Sequence, residues 1–235
     1  MSSPRSARRL RSLARSLAAA AALALLASGA PARAADHKSA PPAKPAIEYP
    51  AYDTHPAEHV TIAAEPCDDP KACSFFRLEY VQHGVLPIRV IITNDSDTAL
   101  SLDDARIHLL PETGARVQAA TEDDLNRRLF NTRSAKGTKI PIIPITIHHA
   151  PIDKKITEDT TDFGFQGTVV NAHTTLAGFV FYDISELDDP ALRHAELLVK
   201  MVHTLDARHE LFPFNVPLDK WLAANPAAPS NRPRR

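Results

Sequence analysis

The sequence predicts an all-β fold, an antiparallel β-sandwich with one short helical insertion. Three observations predict it. Short runs rich in Val, Ile, Thr, Phe and Tyr recur along the chain. Clusters of Asn, Asp, Ser, Pro and Gly separate them. One segment carries the full start signals of a helix.

The elements follow in order. His59 to Ala63 is a short strand. Val85 to Thr93 is the strongest: Leu86, Ile88, Val90 and Ile92 alternate with Pro87, Arg89, Ile91 and Thr93, giving one apolar and one mixed face. Asn94-Asp95-Ser96-Asp97 ends it as a turn. Ala99 to Leu102 and Ala105 to Leu110 continue, with Ile107 and Leu109 opposite Arg106 and His108. Pro111 to Gly114 is another turn. Thr121 caps the helix, with Glu122, Asp123 and Asp124 opposing its dipole and Leu125 and Leu129 on one face. Ile140 to His148, Gly167 to Val170, Thr174 to Ile184, Ala195 to His203 and Glu210 to Leu218 are the later strands. A one-turn helix is expected at Asp189-Pro190, with Pro at its first position.

The pattern from Val85 to Asp95, followed by Leu100-Ser101-Leu102, resembles strands of secreted bacterial immunoglobulin-like domains, which place an Asn-rich turn after a central strand. Ala177-Gly178-Phe179-Val180-Phe181-Tyr182 is similar to a later strand of the same modules. The resemblance covers about a third of the domain. It implies an immunoglobulin-like β-sandwich in an exported protein and transfers no catalytic residue.

Residues 1–34 read as a secretory signal peptide. Arg5, Arg8, Arg9, Arg11 and Arg15 precede an apolar run from Leu17 to Ser28, and Ala32-Arg33-Ala34 sets cleavage after Ala34. The run is shorter than the roughly 20 residues of a membrane span. A periplasmic or secreted protein of a bacterial envelope is the expectation, with no stable span after cleavage. Residues 35–57, rich in Pro and Ala, read as a linker, 58–222 as the domain and 223–235 as a disordered tail.

Charge and composition exclude several functions. The chain has 27 Lys and Arg against 28 Asp and Glu, a net of −1. Six of the Arg lie in the leader, so the mature chain carries 21 against 28, a net of −7. Such a protein is poorly suited to nucleic acid or anionic membranes. Seven Gly against twenty Pro argues against glycine-rich phosphate loops. No G-x-S-x-G and no penicillin-binding S-x-x-K pattern occurs.

The two cysteines, Cys67 and Cys73, are most simply a disulfide in an oxidising compartment. Five intervening residues do not suit a redox pair, and no second pair exists for zinc. Eleven His invite a metal reading through His108, His148, His149, His173, His194 and His203. Adjacent His148 and His149 on a strand face opposite ways, and neither H-E-x-x-H nor His-x-His occurs. Paired acids at Asp68-Asp69, Asp103-Asp104, Asp123-Asp124 and Asp188-Asp189 read as turn and cap residues. Asn94-Asp95-Ser96-Asp97 approaches a calcium loop but lacks its later Gly and Glu.

A basic loop from Arg127 to Lys139 leads into an Ile-rich run broken by Pro141 and Pro144. Arg128, Arg133, Lys136, Ile143 and Ile145 are the candidate partner-binding residues, on an edge flanked by positive charge. The sequence therefore reads as a non-catalytic module, without cofactor, that binds a protein or cell-envelope component. The alternative is a periplasmic His-based metal-binding protein.

Overall fold

The computed structural model describes residues 39–126, 138–139, 146–147, 152–206 and 209–226. The expected signal peptide lies outside the described residues. Among the described residues the chain forms mostly antiparallel sheet with few helices. No helix among them is long and apolar enough to cross a membrane.

The first sheet runs in the order β1 (Ala51–His55), β2 (Val60–Pro66), β3 (Val85–Asn94), β10 (Thr174–Asp183). The second runs β13 (Phe214–Pro217), β11 (Glu196–Lys200), β5 (Arg106–Leu110), β6 (Val117–Gln118). A small third sheet joins β12 (His203–Thr204), β4 (Leu100–Ser101) and β9 (Val169–Val170). Strands β7 (Thr138–Lys139) and β8 (Thr146–Ile147) pair with each other. The strand expected over Ile140 to His148 is otherwise outside the described residues.

The core lies between the first two sheets. Leu86, Ile88, Val90 and Ile92 of β3 meet Leu109, Leu197, Val199, Phe214 and Val216. These are the alternating positions that mark an apolar face. The other face of β3 departs from the expected mixed exposure: all ten residues of β3 are buried. A second cluster covers Val85 with Phe76, Tyr80, Phe179 and Phe181. A third covers Ile91 with Ala46 and Ala63. Arg89 bonds the Pro41 carbonyl, and its guanidinium lies 6.0 Å from the Phe179 ring centroid. Pro87 is tolerated because β2 has run out there. Its carbonyl accepts from Cys67 N at 2.8 Å, one residue past Pro66, which pairs with Ile88.

These contacts correct the expected linker. Ala46 and Ala51 are fully buried, Ala46 N donates to Thr93 Oγ1 at 2.8 Å, and β1 pairs along β2 from Ala51 to His55. Composition hid this, because alanine fills narrow space under a sheet without any run of large apolar residues.

Helix α1 (Glu122–Asp124) begins as expected, with a capping box between Thr121 and Asp124. Leu129 lies outside the described residues. The helix expected at Asp189-Pro190 is absent; that peptide is cis and the chain turns there. Two helices carried no clear sequence signal. Helix α2 (Ile152–Phe163) buries Ile156, Asp159 and Phe163 on one face, at spacings of three and four. Its one carboxylate on that face disguised the apolar stripe. Helix α3 (Asp219–Ala224) closes the domain.

Candidate functional site

The segment between β2 and β3 is built around the cysteine pair. Cys67 and Cys73 form a disulfide, with Cα atoms 6.0 Å apart. The chain then lays Phe75 and Phe76 into an aromatic cluster. Phe76 meets the Phe163 and Phe179 rings edge-on at 5.0 and 5.1 Å. Arg77 follows and reaches α2. Its Nη1 donates to Asp159 Oδ1 at 2.8 Å, its Nε lies 3.0 Å from Glu158, and its Nη2 donates to Asp162 at 2.5 Å.

Asp159 has no exposed surface. Besides the guanidinium, it accepts from Arg77 N at 3.1 and 3.0 Å and from Tyr80 Oη at 3.1 Å. Burial pushes the Asp159 carboxyl above its ordinary value, and the Arg77 and Tyr80 donors oppose that rise. Burial next to Asp159 likewise pushes the Tyr80 hydroxyl far up. Every oxygen of the carboxylate is committed to a donor of the fold. The cluster joins α2 to the disulfide segment and leaves no lone pair for a substrate.

The larger concavity lies elsewhere. A cleft of about 850 Å³ opens between the Pro111–Thr121 stretch and the loop from Asp183 to Arg193. Strand β6 ends the second sheet on this side. It pairs with β5 through Val117 and Gln118, and the next residue, Ala119, bridges across to Tyr182 of β10. The cleft therefore sits where the chain passes from one sheet to the other. Glu186 and Arg193 stand exposed on its far wall. The volume suits a small ligand or a peptide segment.

His55 and His209 both meet Glu58, at 2.8 and 3.4 Å, but the candidates His173, His194 and His203 are each held by a different acid. His173 Nε2 lies 3.0 Å from Asp97, His194 Nδ1 3.2 Å from Asp219, and His203 Nε2 3.6 Å from Glu210. His148 and His149 lie outside the described residues. Among the described residues no group of three His, Cys, Asp or Glu could hold a metal ion. Backbone geometry accounts for three of the histidines: His59, His173 and His194 have φ of 54°, 55° and 52°. They fill left-handed turn positions in a chain with seven glycines. The Asn94 turn is structural as well. Asn94 Oδ1 accepts from Ser96 N and Oγ, and Nδ2 donates to the Thr98, Val170 and Asn171 carbonyls.

The candidate partner-binding residues Arg128, Arg133, Lys136, Ile143 and Ile145 all lie outside the described residues. Sequence reasoning missed the Arg77–Asp159 cluster, which joins positions 82 residues apart. It also missed the cleft, which exists only once two sheets are assembled.

No family model matches this chain, and neither curated proteins nor solved structures give a match.

Proposed function

We propose that this chain is a non-catalytic binding module of the bacterial envelope. Its fold is read as an immunoglobulin-like β-sandwich, and its ligand as an envelope protein or component held in the cleft beside β6. The cleft carries this reading: it is a concavity of about 850 Å³, and a sheet-ending strand forms one wall. Such strands accept extended segments from partners. The disulfide supports an oxidising compartment, and the leader-like residues 1–34 support export. The fully committed donors and acceptors around Asp159 support a structural rather than an acid–base role for that cluster.

Cleft variants test the reading. Glu186→Lys with Arg193→Glu reverses both exposed charges on the far wall. Compared in parallel pull-downs from envelope extract, the variant should lose a partner that the parent chain captures, at unchanged melting temperature. An identical set of captured proteins would sink the assignment. Mass analysis of exported protein beginning at Ala35 tests the export reading separately.

A further inference from the structure

The second sheet turns one face to the core and the other to solvent. Leu109, Leu197 and Val199 are core residues. Alternation therefore sends Arg106, His108 and Leu110 of β5, and Glu196, Leu198 and Lys200 of β11, to the outer face. The register sets Arg106 directly opposite Lys200, and His108 between Leu198 and Gln118. Arg116 stands exposed just before β6.

Like charges facing each other across a strand pair destabilise it. Here no acid offsets them. Among the described residues Arg106, Arg116 and Lys200 have no carboxylate within ion-pairing distance; Arg106 Nη1 donates to the Ala105 carbonyl at 3.3 Å. Glu196 is on the same face but opposite Leu110, four residues along β11 from Lys200.

His108 lies among these cations. Its Nδ1 is covered and has no hydrogen-bond partner. A covered ring nitrogen is cheaper to leave as a bare lone pair than as an unsatisfied N–H, which puts the proton on Nε2 and makes the ring a donor. Burial, then Lys200, Arg116 and Arg106, hold the His108 pKa below its ordinary value. The ring is thus neutral at physiological pH.

We propose that Arg106, Arg116, Lys200 and His108 Nε2 form a binding site for a phosphate-type oxyanion on the outer face of the second sheet. Three cations and a neutral N–H supply donors only. A tetrahedral dianion offers enough oxygens to share among them, and each guanidinium fork matches a pair of those oxygens. The bound charge removes the repulsion between Arg106 and Lys200 that the free protein bears. The site borders the cleft at Arg116 and does not depend on what fills it.

The test follows the His108 ring proton by NMR while inorganic phosphate is added at ionic strength matched with chloride. A saturable shift is expected. With sulfate, which does not titrate in this range, the bound anion should raise the His108 pKa, and binding should tighten as pH falls. Arg106→Gln with Lys200→Gln should weaken binding by roughly tenfold or more, at a melting temperature no lower than the parent's because the repulsion is also removed. Co-sedimentation with phosphatidylcholine vesicles, with and without phosphatidylglycerol, distinguishes a lipid headgroup from the free ion. Sedimentation that needs phosphatidylglycerol and is lost in the double variant supports the site with a headgroup as its source. No response to phosphate, sulfate or anionic vesicles overturns the proposal. So does a response that survives the double substitution undiminished. A cleft variant that loses its protein partner leaves this result untouched, so the two readings fail separately.

Discussion

Asp159 of α2 accepts hydrogen bonds from both the backbone N–H and the guanidinium of Arg77, 82 positions earlier in the chain. One residue thus grips a buried carboxylate with main chain and side chain together. Arg77→Ala keeps the main-chain bonds and removes the charge partner. Leaving the carboxylate buried and unpaired should cost about 3 kcal/mol. Urea unfolding of the variant against the parent measures it. A loss no larger than that of an exposed variant such as Arg106→Ala would show that the pairing contributes little.

The same carboxyl sets a pH dependence. Burial raises its pKa in the folded state above the ordinary 3.8, against the pull of Arg77 and Tyr80. Between those two values the native protein retains a proton that the unfolded chain has released. This contribution to stability is therefore full below the ordinary value and declines as pH rises through the raised one. Asp159→Asn should flatten that part of the curve. Denaturation midpoints collected from acid to neutrality compare the slopes, and parallel slopes for both proteins would refute the assignment.

The disulfide closes a short loop, so it constrains the unfolded chain modestly. Replacing both Cys67 and Cys73 by Ser should lower stability by about 2 kcal/mol and leave a folded domain. Thiol labelling of unfolded, unreduced protein should detect no free cysteine. Circular dichroism of the double variant checks the fold, and a chain that no longer folds would mean that the bridge is needed for the native state itself.

His59 closes the β1–β2 hairpin at φ 54°, exposed and with no side-chain hydrogen bond. The left-handed conformation costs a residue with a Cβ about 1 kcal/mol or more. His59→Gly should therefore leave stability unchanged or raise it by up to about 1 kcal/mol, after the entropy that glycine adds to the unfolded chain. His59→Val should lower it by about 2 kcal/mol. Thermal melts of the pair decide it: equal melting temperatures would mean that the turn has another conformation in solution.

Gly178 has a different reason to be glycine. A Cβ there would lie 2.6 Å from the Phe165 Cα and closer still to its backbone N. The chain leaving α2 crosses β10 at this point. Gly178→Ala should cost about 1–3 kcal/mol through displaced backbone. Ala177→Gly, next to it, is the control; a milder effect at Gly178 than at Ala177 would contradict the crossing.

The strands were legible because their periodicity is local. Leu86 to Ile92 announced β3, and Phe179 to Tyr182 announced β10, each within a few residues. What the sequence hid depends on distant partners. The outward residues Pro87, Arg89, Ile91 and Thr93 look half-polar until Pro41, Ala46 and the aromatic cluster cover them. Asp159 reads as a surface residue of a polar segment until Arg77 is known to meet it. The high histidine count suggested ligands, whereas His59, His173 and His194 serve turns that glycine more often occupies. The cysteine pair was legible because only one pairing exists. The cleft was not, because its walls come from residues about seventy positions apart.

The first and last strands of the domain lie against each other. His55 stacks on Phe214 at 3.8 Å, Asn215 N donates to Asp53 at 2.8 Å, and Phe212 N donates to Glu58 at 2.9 Å. A growing chain therefore leaves Asp53, His55 and Glu58 only one another to hold until its far end has been made. The first sheet also waits for β10, and the second for β11 and β13. Synthesis must therefore pass Asp183 before the first layer closes and run almost to completion before the second does. A premature stop short of Phe214 would leave the second sheet without β13 and strand β1 without its contacts to it, a product suited to proteolysis and not to partial activity.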